Sequence, residues 1–181
     1  AWVLNAWQAD IERLPVMDEQ VRVSTYPYGF HGFVGYRNFT LETLSGERLV
    51  TANSQWTLVD PATAHPVHVT DDIPVKYGAG DKLGMDYAPR RIKLPEAEPE
   101  LLPEVKIVRH MFDTNGHVNN ARYAELACDC LPDGFEFDRL RIEYKNPALP
   151  GGVIVPKVYS EGSVVTVALC PEEGKTFSVL E

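Results

Sequence analysis

The densest run of chemically capable side chains is His110-Met111-Phe112-Asp113-Thr114-Asn115-Gly116-His117-Val118-Asn119-Asn120. Asp113 can act as a base or orient one, His117 can move protons near neutral pH, and Asn115 can hydrogen-bond without titrating. Asn115-Gly116 tolerates positive φ, so the chain can turn sharply there and aim these side chains at one point. Asn119 or Asn120 can cap a following helix, whose first-turn amides offer partial positive charge to a carbonyl or oxyanion. The set suits attack of water on an acyl group. One oxyanion donor is worth ~3 kcal/mol of such a barrier, and a positioned acid or base ~10²–10⁴ in rate. Asp-x-Asn-Gly ahead of a helix is by itself a common helix start. The added His-Val-Asn-Asn-x-x-Tyr favours chemistry.

The elements around this turn follow from periodicity. A strand is expected over Val105 to Met111 and a helix over Asn119 to Leu131. Ala121, Ala124, Cys128 and Leu131 would form the helix's buried side, with Ala127 beside them, and Arg122, Glu125 and Asp129 its outer side. Such a small-residue stripe lets a helix lie close to a curved sheet. Four strands are expected to follow: Phe135 to Tyr144, Gly152 to Tyr159, Val164 to Leu169 and Thr176 to Leu180. Ala1 to Asp60 also reads as strands and turns, with Val50, Ala52, Ser54, Trp56 and Leu58 on one face. Pro61 to Pro103 has no sustained period and reads as a linker crossing a surface. The halves resemble one another, since Ile11-Glu12 before Pro15 and Val21-Arg22-Val23 parallels Ile142-Glu143 before Pro147 and Val153-Ile154-Val155.

Composition narrows the classes. The 181 residues carry 17 Lys+Arg and 26 Asp+Glu, a net charge of -9, with 44% hydrophobic residues, 13 Gly and 14 Pro. Those proportions belong to a folded globular protein rather than a fibrous, disordered or disulfide-dense one. No apolar run approaches the ~20 residues of a membrane helix, and the acidic balance disfavours a nucleic-acid partner. Cys128 and Cys130, two apart on a helix, point in different directions and suit neither a disulfide nor a shared metal. An odd cysteine count points to a reducing compartment, cytoplasmic or plastid. His110, Asp113 and His117 lack metal-ligand spacing, Ser163 and Ser178 lack a Gly-x-Ser-x-Gly elbow, and Cys128 reads as core. His31, His65 and His68 read as surface residues, and Trp2, Trp7, Tyr36, Phe39 and Trp56 as core or the wall of an apolar tunnel.

Asp113-x-Asn115-Gly116-His117-Val118-Asn119-Asn120-x-x-Tyr123 resembles the active-site signature of acyl-acyl-carrier-protein thioesterases of bacteria and plant plastids. Trp7 with Ile11-Glu12-Arg13, Arg37-Asn38-Phe39, Ser54-Gln55-Trp56 leading to Asp60, and Ala88-Pro89-Arg90-Arg91-Ile92-Lys93-Leu94-Pro95 read the same way. The resemblance implies an α+β, tandem hotdog fold, with antiparallel sheets wrapped around a central helix. It also implies that the first domain lacks its amino-terminal strand and helix in this sequence. The domains expected are 1–88, a linker 89–103, and 104–181 with the catalytic motif.

The implied activity is hydrolysis of fatty acyl-carrier-protein thioesters to free fatty acid, without cofactor or metal, ending chain elongation. Asp113 and His117 would handle water and its proton, and Asn115 would hold the reacting groups. The implied partner is acyl carrier protein, for which Arg90, Arg91 and Lys93 offer an anchor on an otherwise acidic protein; a homodimer is one assembly the fold allows. Two departures stand out. Plant members carry Glu-Tyr-Arg-Arg-Glu-Cys after the helix, the second Glu being counted as catalytic, and here Pro147 of Glu143-Tyr144-Lys145-Asn146-Pro147-Ala148 takes that place. Ala64 stands where members more often have Arg. An acyl-CoA thioesterase and a non-catalytic acyl-binding module are the alternatives, and Pro147 favours the latter.

Overall fold

A computed structural model of the chain describes residues 1–114 and 116–181. It divides into two compact units, Ala1–Arg90 with Phe137–Leu140, and Arg91–Glu136 with Arg141–Glu181. Among the described residues no helix is long and apolar enough to cross a membrane.

In the first unit β1 (Trp2–Ile11), β2 (Val21–His31), β3 (Val34–Thr43) and β4 (Arg48–Leu58) form an antiparallel sheet ordered β2-β3-β4-β1. Gly32, at φ +59, opens the two-residue turn from β2 to β3. Ile11 donates to the Asp138 carbonyl at 2.7 Å along the side of β1 away from β4. The expected β4 face is correct, for Ala52 opposes Ala9 and Phe39, and Trp56 opposes Leu4 and Gly35. That face is apolar, with Trp7 and Phe39 rings 4.5 Å apart. Its aromatic residues are half-buried rather than core: Trp2, Trp7, Phe39 and Trp56 all keep part of their surface exposed.

The other face is polar, and residues 80–88 seal it. Gln8 donates to the Asp86 carbonyl at 2.5 Å and accepts from the Ala88 amide at 2.9 Å. Asn38, fully buried, donates to the Ala52 carbonyl and takes the Leu83 amide at 3.2 Å and the Tyr87 hydroxyl at 3.1 Å on its oxygen. Lys82 Nζ lies 3.8 Å from the centre of the Tyr87 ring. Part of the aperiodic stretch is therefore a strap whose backbone satisfies buried amides that an apolar cover would leave orphaned. The stretch also contains α1 (Asp72–Tyr77), a short helix with no buried residue and hence no apolar period to announce it.

The second unit holds β5 (Glu100–Leu101), β6 (Val105–Lys106), α2 (Asn120–Cys128), β7 (Arg139–Tyr144, from Arg141 onward), β8 (Val153–Glu161), β9 (Val164–Cys170) and β10 (Ser178–Leu180). The antiparallel order is β7-β10-β9-β8, with β5 and β6 both pairing with β8. The strand expected over 105–111 is cut short. Ile107 still donates to Gly152, but Met111 then bonds back to Val108 in a single 3-10 turn that buries the Met111 side chain. β9 is buried on both faces. One face carries α2; on the other Ile92 packs with Tyr159, Ala168, Cys170 and Val179. Glu143 lies on that second face, 5% exposed, accepting the Ile92 amide at 3.1 Å and pairing with Lys145 at 3.0 Å.

Two outcomes follow. Glu143→Ala orphans the buried Ile92 amide and is expected to cost about 1–3 kcal/mol in chemical denaturation; an unchanged midpoint would disprove the contact's importance. In the first unit Arg13 grips both oxygens of Glu19 and also Glu47. This grip, aided by the Val16 amide, lowers the Glu19 carboxyl to about 2. A lowered carboxylate pKa stabilises the fold above its ordinary value, 4.5, and that contribution is lost as pH falls towards 2. Arg13→Ala should flatten the fall in stability across that window, measured as Tm against pH.

Candidate active site

The turn from Met111 to Asn119 is closed at its base like a miniature hairpin. Phe112 bridges Val118, Asp113 donates to the His117 carbonyl at 2.9 Å, and Asn119 donates to the Met111 carbonyl at 2.8 Å. Gly116, at φ +75, makes the reversal that its missing Cβ permits. The expected Asp113 and His117 thus stand across one narrow turn. The Asp113 carboxylate accepts the His117 backbone amide at 3.3 Å, which leaves the imidazole exposed. Asp113 itself is half-buried. Asn115, the third expected residue, lies outside the described residues.

Of the two candidate caps, Asn119 is the one used, its side chain accepting from Ala121 at 2.9 Å. The cap fixes the helix phase, and the phase differs from the expected one. Tyr123 (3% exposed) and Ala127 (4%) form the buried face, while Ala121 and Cys128 are exposed. Cys128 is accordingly not core. The physical reason is a contact the small-residue stripe does not reveal: the Tyr123 hydroxyl accepts the amide of fully buried Ala148 at 3.0 Å. Ala148 in turn accepts the Val118 amide at 3.4 Å. The segment around Pro147 is thereby fastened to both the turn and the helix. Tyr144 packs edge-on to Tyr123 at 6.0 Å and donates to the Asn120 carbonyl at 3.2 Å. Burial raises the pKa of both phenols, keeping them protonated hydrogen-bonding groups rather than bases.

Other candidates fall away from this centre. Pro147 is exposed and has no titratable atom. Glu143 is committed to Ile92 and Lys145 on the face of β7 opposite Tyr144. His31, His65, His68, His110 and Ser163 are exposed, and Ser178 is fully buried. Among the described residues no His, Cys, Asp and Glu group is arranged to hold a metal ion. Arg90, Arg91 and Lys93 are exposed around buried Ile92.

Residues 1–77 match the family described as the acyl-ACP thioesterase N-terminal domain. That match covers the first 77 of the chain's 181 residues. No curated protein matches the chain by sequence. Its fold is the hotdog fold, shared with an acyl-ACP thioesterase of Bacteroides thetaiotaomicron at TM-score 0.88 and 21% identity, covering 99% of this chain and 74% of that one. A 12:0-ACP thioesterase of Umbellularia californica matches at 0.85 and 19%, over 99% and 73%. A MaoC-like dehydratase of Phytophthora capsici matches at 0.70 and 15%, over 99% and 68%. The signature turn and its tyrosine clamp lie in the second unit, beyond the residues that the family match spans.

Tyr123→Phe leaves the Ala148 amide without its acceptor and is expected to cost about 1–3 kcal/mol. Asn119→Ala, which removes the cap, should cost about 0.5–2 kcal/mol. Urea denaturation of both variants checks this, and a Tyr123→Phe protein as stable as the parent would show the clamp to be idle.

Proposed function

We propose that the chain hydrolyses fatty acyl thioesters of acyl carrier protein, releasing free fatty acid and the carrier thiol. The observation that carries this reading is Asp113 and His117 held across one turn at the capped start of α2, in a chain whose first 77 residues match the acyl-ACP thioesterase N-terminal domain. Water adds to the thioester carbonyl while Asp113 and His117 between them take its proton. The tetrahedral intermediate then expels the pantetheine sulfur, which receives a proton and leaves as the thiol. Neither cofactor nor metal enters that balance. His117 is exposed and so can meet a substrate arriving from solvent. Asn115 is assigned the positioning of the reacting groups on the strength of the signature.

Exposed Arg90, Arg91 and Lys93 are proposed to meet the acidic carrier or its phosphate, offsetting the repulsion of a chain with net charge -9. Free Cys128, Cys130 and Cys170 suit a reducing compartment, proposed as the cytoplasm. The two expected domains, with residues 89–103 joining them, remain part of this proposal. Pro147 favours one rival reading, a hotdog module that binds acyl chains without cleaving them.

Thiol release from a panel of acyl-carrier proteins and matching acyl-CoAs decides between them. The reading expects faster release from the carrier substrates and a loss of at least ~10² in turnover for His117→Ala and Asp113→Ala. Preference for acyl-CoA would reassign the substrate. Folded variants with undiminished turnover would refute the roles given to these residues.

A further inference from the structure

Within the second unit, the end of β7 reaches the start of α2 through one side chain. Tyr144 is the last residue of β7 and pairs with Ser178 of β10. The next two amides, Lys145 and Asn146, both donate to the Phe177 carbonyl, at 2.8 and 3.1 Å, so the backbone that carries Tyr144 is fixed by the sheet. Its hydroxyl donates to the carbonyl of Asn120, the first residue of α2, at 3.2 Å. A helical carbonyl has two lone pairs, so it serves the helix ladder and the phenol together. Tyr123 sets the ring's orientation from the other side, edge-on at 6.0 Å. Burial raises the phenol pKa, and the hydroxyl therefore stays a donor at neutral pH. By contrast the hydroxyl of Ser178, a fully buried cross-strand neighbour, has no hydrogen-bond partner among the described residues.

Helix ends fray unless something holds them, and here fraying reaches the turn at once. Asn119, next to Asn120, caps α2 through Ala121 and closes the turn through the Met111 carbonyl. A shift of the first helical residue thus moves the arm that carries His117 against the arm that carries Asp113. We propose that Tyr144 is a positioning residue for the reaction. It touches neither substrate nor reacting atoms; its hydroxyl holds the start of α2 so that Asp113 and His117 keep their separation. The inference rests on the thioesterase reading for the reaction that is positioned, and on geometry alone for the restraint.

Tyr144→Phe keeps the ring and loses only the hydroxyl. Because a small misplacement of reacting groups is costly in rate, it is expected to lower kcat for acyl-carrier-protein hydrolysis at least about tenfold, with KM changed less than about twofold. Ser178→Ala removes a neighbouring hydroxyl that has no bond to lose and is expected to keep both constants. Native-state hydrogen exchange of the whole chain gives a readout independent of turnover. In Tyr144→Phe the Asn119 and Asp113 amides, which close the turn, should exchange at least about tenfold faster, while the amides of β9 keep their protection. Undiminished kcat in Tyr144→Phe, or unchanged exchange at Asn119 and Asp113, overturns the proposal. So does a loss of β9 protection as large as that of the turn, which would make Tyr144 a residue of general stability. The two readings fail separately. A parent that releases no thiol removes the thioesterase reading, and exchange then decides whether Tyr144 holds the turn. An active parent whose turn and rate ignore Tyr144→Phe removes this proposal alone.

Discussion

A buried amide must be given an acceptor, and in the second unit the Ala148 amide is given the Tyr123 hydroxyl. That bond reaches across 25 residues of sequence and decides which side of α2 faces inward. The inward side in turn decides where the helix begins, because Asn119 caps it four residues before Tyr123. The chain immediately before the cap is the Asp113–His117 turn, closed by its own backbone ladder and joined to Ala148 through Val118. The turn's geometry is therefore inherited from a packing contact on the helix behind it. Loosening that contact would disturb the spacing of Asp113 and His117 without touching either residue.

The same rule accounts for the rest of the molecule's less regular parts. Gln8, Asn38 and Asn53 put amides on one face of the first sheet, and residues 80–88 with Tyr28 and Tyr87 supply the donors and acceptors they need. In the second unit Ile92 cannot be buried unless its amide is satisfied, and the Glu143 carboxylate does this while Lys145 offsets its charge. Segments without periodicity are held by polar bonds at a few points. Segments with periodicity are held by their apolar faces.

This difference explains what could be read from the sequence. The strands of the first sheet and the later four were legible because alternation of Val50, Ala52, Ser54, Trp56 and Leu58, or of Leu140, Ile142 and Tyr144, is a local property. The turn was legible from Asn115-Gly116 and the asparagine that follows. The short α1 was not, because none of its residues is buried and nothing local sets its period. The buried face of α2 was misjudged because alanine marks a close-packed surface whether or not that surface is covered. Tyr123 decided the phase, and its partner Ala148 carries no signal beyond the proline next to it. The aromatic residues Trp2, Trp7, Phe39 and Trp56 were expected as core, yet hydrophobicity records a tendency to leave water, not the presence of a cover.

Pro147 becomes intelligible in the same terms. Asn146, just before it, donates through its backbone to Phe177 and through its side chain to the Thr176 carbonyl. Ala148, just after it, is bonded to Val118 and Tyr123. The residue between two such anchors has no ladder position for an N–H of its own, so a proline there loses no hydrogen bond and narrows the backbone freedom of the segment. It also removes any ionisable group from that place, while Glu143 is turned to the opposite face of its strand and already occupied. Rigidity at 146–148 and proton transfer at the turn are then separate duties. The first rests on the clamp, and in the proposed reaction the second is concentrated on Asp113 and His117.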